Sequence, residues 1–240
     1  MICPECGQDC GALVPTEYGI WLCPSCRDFP DKTAGGLLKD NHYTLTEQKK
    51  PLFVLDLETT GLDGTEEGDK ILEVGVARVD LIRGAVYPEY NKIVHQFLTP
   101  AEKTCWCFQN TSLTPEEVKH SPWTLRLVLD MLTHYDYVLE GAFTSYNVAF
   151  DFDLFLRPWG FRPRKMAPCI MQECADHYNG GRWFKAQEAY DQLCPDNPAA
   201  LPDRKEEHRA LSDAVMEGWI LLRYLEDNPD AKQRYLRCLQ

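Results

Sequence analysis

Two acidic residues that lie two positions apart are the first sign of chemistry in this sequence. Asp56 and Glu58 belong to the run Phe53–Glu58, which is otherwise apolar and is predicted to form a β-strand. Side chains at i and i+2 project from the same face of a strand, and two carboxylates on an apolar face oppose burial unless a cation neutralises them. Carboxylate oxygens favour Mg²⁺ or Mn²⁺. An edge strand with solvated acids is the alternative interpretation.

Three further groups could join this pair. Asp151 follows a predicted strand, where it either caps the next helix or lies at the strand end at which α/β sheets build their sites. His208 and Asp213 are five residues apart, and on one helix this spacing would separate them by roughly 140°. We therefore expect His208 in a loop and Asp213 one turn inside the helix that follows. A loop histidine with a pKa near ~6.5 can accept a proton at neutral pH.

Four cysteines near the N-terminus form two Cys-x-x-Cys pairs, Cys3 with Cys6 and Cys23 with Cys26. Their spacing is typical of a zinc ribbon, in which each pair supplies two thiolates to one tetrahedral Zn²⁺. The chain has eleven cysteines, and an odd number argues against a disulfide framework. Four unrelated thiols or a redox pair are the alternatives, and the two matching pairs favour one structural zinc ion.

These groups fall into two of three predicted regions. We predict a zinc ribbon over residues 1–29, a linker over 30–50 and a folded domain over 51–240. In the domain, strands come first and then alternate with helices, which predicts an α/β fold with a mixed sheet and helices on its faces. The predicted strands cover 53–58, 71–79, 92–98 and 137–144, and the predicted helices cover 123–135, 152–156, 169–178, 186–193, 208–225 and 229–239.

Charge and composition limit the partners. The net charge of −12 is unusual for a protein that wraps duplex nucleic acid, but it allows contact with a few nucleotides at a strand end. Residues 157–185 differ, because six basic side chains and several aromatic ones are accompanied there by only two acidic residues. This segment is either a single-strand contact surface or a solvated face over an aromatic core. No apolar stretch approaches about 18 residues and the first residues do not resemble a signal peptide, so we expect a cytoplasmic protein without a membrane partner.

Three short motifs share the order and the spacing of a known family. The first is Asp56-Leu-Glu58-Thr59-Thr60-Gly61-Leu62, the second is Asn147-x-x-Phe150-Asp151 and the third is His208-x4-Asp213. Together they resemble the DEDDh exonucleases, which include the proofreading subunit of bacterial replicative polymerases, over about residues 51–226. The family usually has histidine where this chain has Tyr146, and residues 105–110 also depart from its pattern. The N-terminal cysteines lie outside the resemblance.

The resemblance implies an RNase H-like fold, with a five-stranded mixed sheet flanked by helices, and hydrolysis assisted by two Mg²⁺ or Mn²⁺ ions. It implies that Asp56 bridges both ions and that Glu58 and Asp213 hold the ion on the nucleophile's side. Asp151 would hold the other ion, and His208 would be the general base. The residues implied to contact the terminal nucleotide are Thr59, Thr60, Leu62, Asn147 and Phe150.

The implied reaction removes nucleoside 5′-monophosphates from the 3′ end of a single strand, and we expect DNA to be favoured over RNA. The same chemistry on RNA is the first alternative, because no residue that reads the 2′-OH is evident from the sequence. A zinc-bearing binding module with an inactive nuclease domain is the second. It predicts a lost catalytic group, whereas all four carboxylates and the histidine are present. The acidic charge also allows the zinc ribbon to bind a protein partner.

Overall fold

The computed structural model describes residues 14–15, 21–22 and 48–240, and the chain divides into two units, Met1–Lys49 and Lys50–Gln240. In the first unit, strands β1 (Val14–Pro15) and β2 (Trp21–Leu22) pair in antiparallel fashion. The four cysteines of the predicted zinc ribbon lie outside the described residues, so the ribbon and its zinc ion remain predictions.

The second unit is built on a four-stranded mixed sheet. Strand β3 is antiparallel to β4 and parallel to β6, and β4 is antiparallel to β5, so that the order across the sheet is β5-β4-β3-β6. The α/β fold with a mixed sheet is therefore confirmed. The strands are β3 (Leu52–Thr59), β4 (Ile71–Asp80), β5 (Ala85–Ile93) and β6 (Ala142–Thr144).

The resemblance implied a fifth strand, and beyond β6 the described chain forms only a single parallel bridge, between Phe143 and Met166. The Phe143 N–H donates to the Lys165 carbonyl at 3.0 Å, and the Ala167 N–H donates to the Phe143 carbonyl at 2.8 Å. Pro163 and Pro168 flank this short contact. Proline has no N–H to donate to a ladder, which explains why pairing does not extend further.

The third predicted strand, residues 92–98, was placed too late in the chain. A tight turn follows β4, because the Asp80 carboxylate accepts hydrogen bonds from the backbone N–H groups of Ile82 and Arg83 at 3.0 and 2.8 Å. Strand β5 therefore begins at Ala85 and includes Pro88. A proline is tolerated there because β5 is an edge strand, whose outward N–H groups have no ladder partner.

Seven α-helices and one π-helix lie in the described part of the second unit. The long helix near the C-terminus, α6, has a strongly apolar side and was correctly expected. Among the described residues, no helix combines the length and the apolar character that a bilayer crossing requires. The helices are α1 (Trp106–Asn110), α2 (Pro115–His120), α3 (Leu125–Tyr137), the π-helix (Ala149–Leu156), α4 (Ile170–Tyr178), α5 (Ala186–Leu193), α6 (Ala210–Asp227) and α7 (Pro229–Cys238).

The two faces of β3 carry two different cores. Leu52 and Val54 belong to a cluster that includes the apolar side of α6, whereas Phe53 and Leu55 belong to a second cluster with residues of α3 and the π-helix. All four side chains are fully buried, as expected for a central strand covered on both sides. Because side chains alternate along a strand, Asp56 continues the face that α6 covers.

Helix α6 begins directly on strand β4. A Cβ atom added to Gly75 would lie 2.1 Å from the Ala210 carbonyl carbon and 2.2 Å from the Leu211 nitrogen. Gly75 is also the β4 residue that pairs with Asp56. The missing side chain therefore lets the first turn of α6 approach the strand pair at the position of Asp56.

Candidate active site

Three carboxylates from β3 and α6 converge at this point. Asp56, Glu58 and Asp213 can place one oxygen each within 4.8 Å of one another. Glu58 and Asp213 are 8% and 3% exposed. The close approach of α6 at Gly75 explains how residues 157 positions apart in sequence, 56 and 213, share one site. Three gathered carboxylates repel one another unless protons or a cation neutralise them.

Asp151 enters from the first turn of the π-helix. It is 3% exposed, and its backbone N–H donates to the Asn147 carbonyl at 3.1 Å. Its Oδ1 atom and the Oδ1 atom of Asp213 are both buried and accept no hydrogen bond. Buried carboxylate oxygens without partners are costly, and a divalent cation would satisfy them. The donor set, which is all oxygen, fits Mg²⁺ or Mn²⁺.

The protonation of the cluster follows from its crowding. Lost hydration, and then the neighbouring carboxylates of Glu217 and Asp151, raise the pKa of Asp56 well above its ordinary value. Burial raises the pKa of Glu58 to about 8 and that of Asp151 to about 7. Burial also raises the pKa of Asp213. Without cations the cluster therefore holds protons at neutral pH, and bound cations would displace them.

His208 lies in the loop that ends where α6 begins, as its spacing from Asp213 predicted. Its backbone φ is 50°, in the left-handed region, and its side chain is one-third exposed. The Nδ1 atom lies 3.5 Å from the Glu206 Oε1 atom. The ring meets the exposed indole of Trp106 edge-on, with 4.9 Å between the ring centroids. Glu206, His208 and Asp213 form a second group whose ligand atoms lie within 4.8 Å of one another.

A buried ion pair fixes the backbone between His208 and α6. Arg209 donates from Nε and Nη2 to the two carboxylate oxygens of Glu73, at 2.8 and 2.6 Å. Glu73 also accepts a hydrogen bond from the Ala210 N–H at 3.2 Å and is completely buried. The same guanidinium reaches the Ser112 hydroxyl at 3.0 Å. Glu73 was not among the predicted site residues, although a lone acid in the apolar run of β4 was a signal.

Glu217 is a further buried carboxylate near the site that was not among the predicted site residues. It lies one helical turn after Asp213 on α6, is 4% exposed, and accepts a hydrogen bond from the Tyr146 N–H at 3.2 Å. Burial, and then the charges of Asp151 and Asp213, raise its pKa well above the ordinary value. The signal in the sequence was its i+4 spacing from Asp213, which places both on one helix face.

The residues predicted to contact the nucleotide are mostly engaged with their own chain. The Thr59 hydroxyl donates to the Gly61 carbonyl at 2.7 Å, and the Thr60 N–H donates to the Lys70 carbonyl at 3.0 Å, so this amide is not free for a phosphate. Asn147 accepts a weak bond from the Phe150 N–H at 3.4 Å. Leu62 is 77% exposed and remains open to a ligand.

The segment 105–110, which departs from the family pattern, forms helix α1 beside the site. Its buried Cys107 donates its thiol hydrogen to Glu58 Oε2, with 3.6 Å between sulfur and oxygen. Its Trp106 is 57% exposed next to His208. Neither residue was among the predicted site residues, because a tryptophan or cysteine outside the three motifs carries no spacing signal.

The basic segment 157–185 is mixed in character. Phe161 is buried in the core, whereas Trp159 and Trp183 are 54% and 69% exposed. Arg157 pairs with Asp153 at 2.6 Å, and Lys165 donates to the Gln240 carbonyl at 2.8 Å. The two exposed indoles keep the single-strand interpretation open, and the ion pair and the core aromatic fit the alternative.

Comparison with known proteins identifies the family. The family model for exonucleases (RNase_T) matches residues 53–218. Among curated proteins, none matches the sequence significantly. The structure of Exonuclease X in complex with 5′-overhanging duplex DNA is 18% identical, with a TM-score of 0.55 over 79% of this chain and 99% of that one.

Two further solved structures share the fold. The nuclease domain of 3′hExo, a DEDDh family member bound to rAMP, is 15% identical, with a TM-score of 0.56 over 75% of this chain and 93% of that one. S. pombe Pop2p in its Mg²⁺- and Mn²⁺-bound form is 14% identical, with a TM-score of 0.56 over 76% of this chain and 86% of that one. The matched region contains every carboxylate of the site and His208, and the chain therefore belongs to the exonuclease family.

Proposed function

We propose that this exonuclease removes nucleoside 5′-monophosphates from the 3′ end of single-stranded DNA, with two divalent cations and His208 as general base. The observation that carries the proposal is the convergence of Asp56, Glu58 and Asp213, together with the orphaned buried oxygens of Asp151 and Asp213. Such oxygens are rare in folded proteins unless a ligand satisfies them.

In the proposed arrangement, Asp56, Glu58 and Asp213 would hold one cation, and Asp56 and Asp151 would hold the other. Cations bound there would supply a water molecule of lowered pKa and compensation for the charge on the leaving 3′ oxygen. The water oxygen attacks the phosphorus atom, and the water proton passes to His208. The bond from phosphorus to the 3′ oxygen breaks, and the 3′ oxygen takes up a proton from solvent to become the new 3′-hydroxyl. The product is a 5′-monophosphate and a strand one nucleotide shorter.

The geometry around His208 supports its role as the proton acceptor. Glu206 lies on the Nδ1 side of the ring, so the Nε2 atom is the nitrogen left for a water proton. The ion pair between Glu73 and Arg209 and the start of α6 hold the adjacent backbone. A base whose backbone is fixed on one side and whose side chain is one-third exposed can reach a substrate without rebuilding the fold.

Two exposed apolar side chains near the site in the chain suit a single strand. Leu62 follows the end of β3, and Trp106 stands next to His208. An indole stacks against unpaired bases without regard to sequence, and a leucine side chain offers them an apolar contact. Together with the net charge of −12, this favours contact with a few terminal nucleotides over a duplex grip. The Exonuclease X structure is bound to DNA and the 3′hExo structure to rAMP, so RNA is kept as the competing substrate.

The test uses single-stranded DNA and RNA of identical sequence, labelled at either end, with Mg²⁺ or Mn²⁺. A 3′ label should appear at once as a mononucleotide, and a 5′ label should descend as a ladder of single steps, faster on DNA. Asp56→Ala, purified in the same way, controls for contaminating nucleases and should be inactive. Release of the 5′ label first, or cleavage that survives removal of divalent cations, would contradict the proposal. Faster cleavage of RNA than of DNA would show that RNA is the preferred substrate, and the proposed two-cation mechanism would still stand.

A further inference from the structure

The loop before α6 brings together a second set of metal-ligand side chains. It shares Asp213 with the oxygen-only set of Asp56, Glu58 and Asp213, but it also contains an imidazole. Glu206, His208 and Asp213 can place one ligand atom each within 4.8 Å of one another. Glu206 and His208 are 23% and 33% exposed, so a solvent ion can reach them, whereas Asp213 is buried. The Oδ1 atom of Asp213 accepts no hydrogen bond, which leaves a buried carboxylate oxygen without a partner in this group.

The distances fit a small tetrahedral ion. The His208 Nδ1 atom and the Glu206 Oε1 atom are 3.5 Å apart. This separation is long for a hydrogen bond. With metal–ligand bonds of about 2.0–2.2 Å, two ligands of a tetrahedral Zn²⁺ are about 3.4 Å apart. A pair already held near that separation needs little movement to bind zinc.

The type of ligand decides the metal. One imidazole with two carboxylates is a catalytic-type zinc set, with the fourth position left for water. Imidazole suits Zn²⁺, whereas Mg²⁺ prefers oxygen ligands alone, so the two groups that share Asp213 differ in selectivity. A cleft of about 500 Å³ opens beside the group and gives an ion access to it from solvent; its lining is mixed in charge and comprises Gln187, Asp191, Asp203, Arg204, Lys205, Glu206 and His208.

We propose that Glu206, His208 and Asp213 form an inhibitory zinc site, which blocks the exonuclease by capturing its general base. Zinc on Nδ1 leaves the neutral imidazole with its only proton on Nε2, so His208 can no longer accept the proton of water. Zinc also competes for Asp213 with the one catalytic cation that this residue is proposed to hold. The effect on catalysis rests on the function proposed above, whereas zinc binding itself does not.

The experiment uses the full chain, first saturated with zinc at the N-terminal cysteines and then desalted. Additional zinc is measured by equilibrium dialysis, and inhibition by zinc is measured at fixed Mg²⁺ on a labelled single-stranded oligonucleotide. Wild type should bind one further zinc ion and be inhibited. Removing a residue that only hydrogen-bonds to a metal ligand already weakens the affinity for the metal about 10–100-fold. Glu206→Gln, which removes a direct ligand, should therefore raise both the dissociation constant and the inhibitory concentration at least tenfold.

Asp203→Asn is the matched control, because Asp203 lines the same cleft without belonging to the group, and asparagine tolerates its left-handed φ of 48°. Its zinc binding and inhibition should equal those of wild type. Equal zinc inhibition of wild type and Glu206→Gln would overturn the proposal. Zinc would then be acting at the oxygen-only set of carboxylates and not at the site that contains Glu206. Absence of a further zinc ion in wild type would also overturn it. If the enzyme cuts no nucleic acid at all, the dialysis result still decides the zinc site, while the proposed function fails separately.

Discussion

Replacing Glu58 with glutamine should abolish cleavage and yet stabilise the cation-free protein. The side chain is 8% exposed and burial raises its pKa from an unfolded value of 4.5 to about 8. Between these two values the unfolded chain releases the proton and the folded chain keeps it, so stability is lost as the pH rises through this window. The interval from the unfolded pKa of 4.5 to pH 7.5 is three pH units. At about 1.36 kcal/mol for each unit, the free energy of unfolding is lowered by about 4 kcal/mol at pH 7.5.

Glutamine keeps the shape of the protonated acid and has no proton to lose. We therefore expect Glu58→Gln to raise the free energy of unfolding by about 2–4 kcal/mol at pH 7.5. The midpoint of thermal unfolding should rise by about 2–4 °C for each kcal/mol in a domain of this size. At pH 5 the gain should shrink to below about 1 kcal/mol, because this pH lies only about half a unit above the pKa of 4.5 in the unfolded chain. Mn²⁺ should stabilise the wild type at pH 7.5 and the variant much less.

The assay is thermal unfolding followed by tryptophan fluorescence, in chelator and with added Mn²⁺, at pH 5 and 7.5. Glu66→Gln is the matched control, since Glu66 is an exposed acid in the loop after β3 whose replacement should change stability by less than about 0.5 kcal/mol. A lower melting temperature of Glu58→Gln at pH 7.5 would refute the stabilising effect of the retained proton. An equal gain in stability at both pH values would also refute it, because the effect would then not come from the proton.

Four further outcomes are expected. Asp56→Ala should lose all cleavage while circular dichroism shows an intact fold, and near-normal turnover would exclude the two-cation mechanism. His208→Ala should be slower by about 10²–10⁴-fold and still bind Mn²⁺, and a flat wild-type pH–rate profile between about pH 5.5 and 8 would count against a base. Glu73→Gln should destabilise the protein by about 3–5 kcal/mol, measured by urea unfolding, because Arg209 loses its buried partner; a change below about 1 kcal/mol would show that the pair is dispensable. Chelator-washed protein should retain about one zinc ion by elemental analysis, Cys3→Ser with Cys23→Ser should remove it, and a chain of residues 51–240 should still cut short oligonucleotides. A folded but inactive truncated chain would make the N-terminal region part of the active unit.

The spacing of residues along the chain was sufficient for those features that depend on local geometry. The five-residue separation of His208 and Asp213 is incompatible with one helical face, and the structure indeed places His208 before α6. The apolar run of β3 predicted a buried strand, and its i and i+2 acids predicted a shared face. Both inferences rest on helix and strand periods, which tertiary packing does not change.

Features that depend on neighbours distant in sequence could not be predicted. Pro88 interrupted the pattern of β5, and only its position at the sheet edge makes the proline acceptable. The partners of Glu73 and Glu217 lie 136 and 71 residues away, so no window of the sequence contains the contact. Trp106 could not be predicted as a site residue for the same reason, because it contacts His208 only in the folded chain.

The contact between Gly75 and the start of α6 also bears on how variants of this protein would be judged. Gly75 holds no reactive atom and is not in the left-handed region of backbone space, so it would pass as an ordinary strand residue. A single methyl group there would have to displace the backbone at Ala210, and Asp213 and the end of the His208 loop would move with it. In a screen of random substitutions, Gly75→Ala should therefore group with the catalytic positions in activity while the protein remains abundant. The loss of activity on substitution at such a position reflects the close spacing of two backbone segments. Only a structure can distinguish this cause from the loss of a catalytic group.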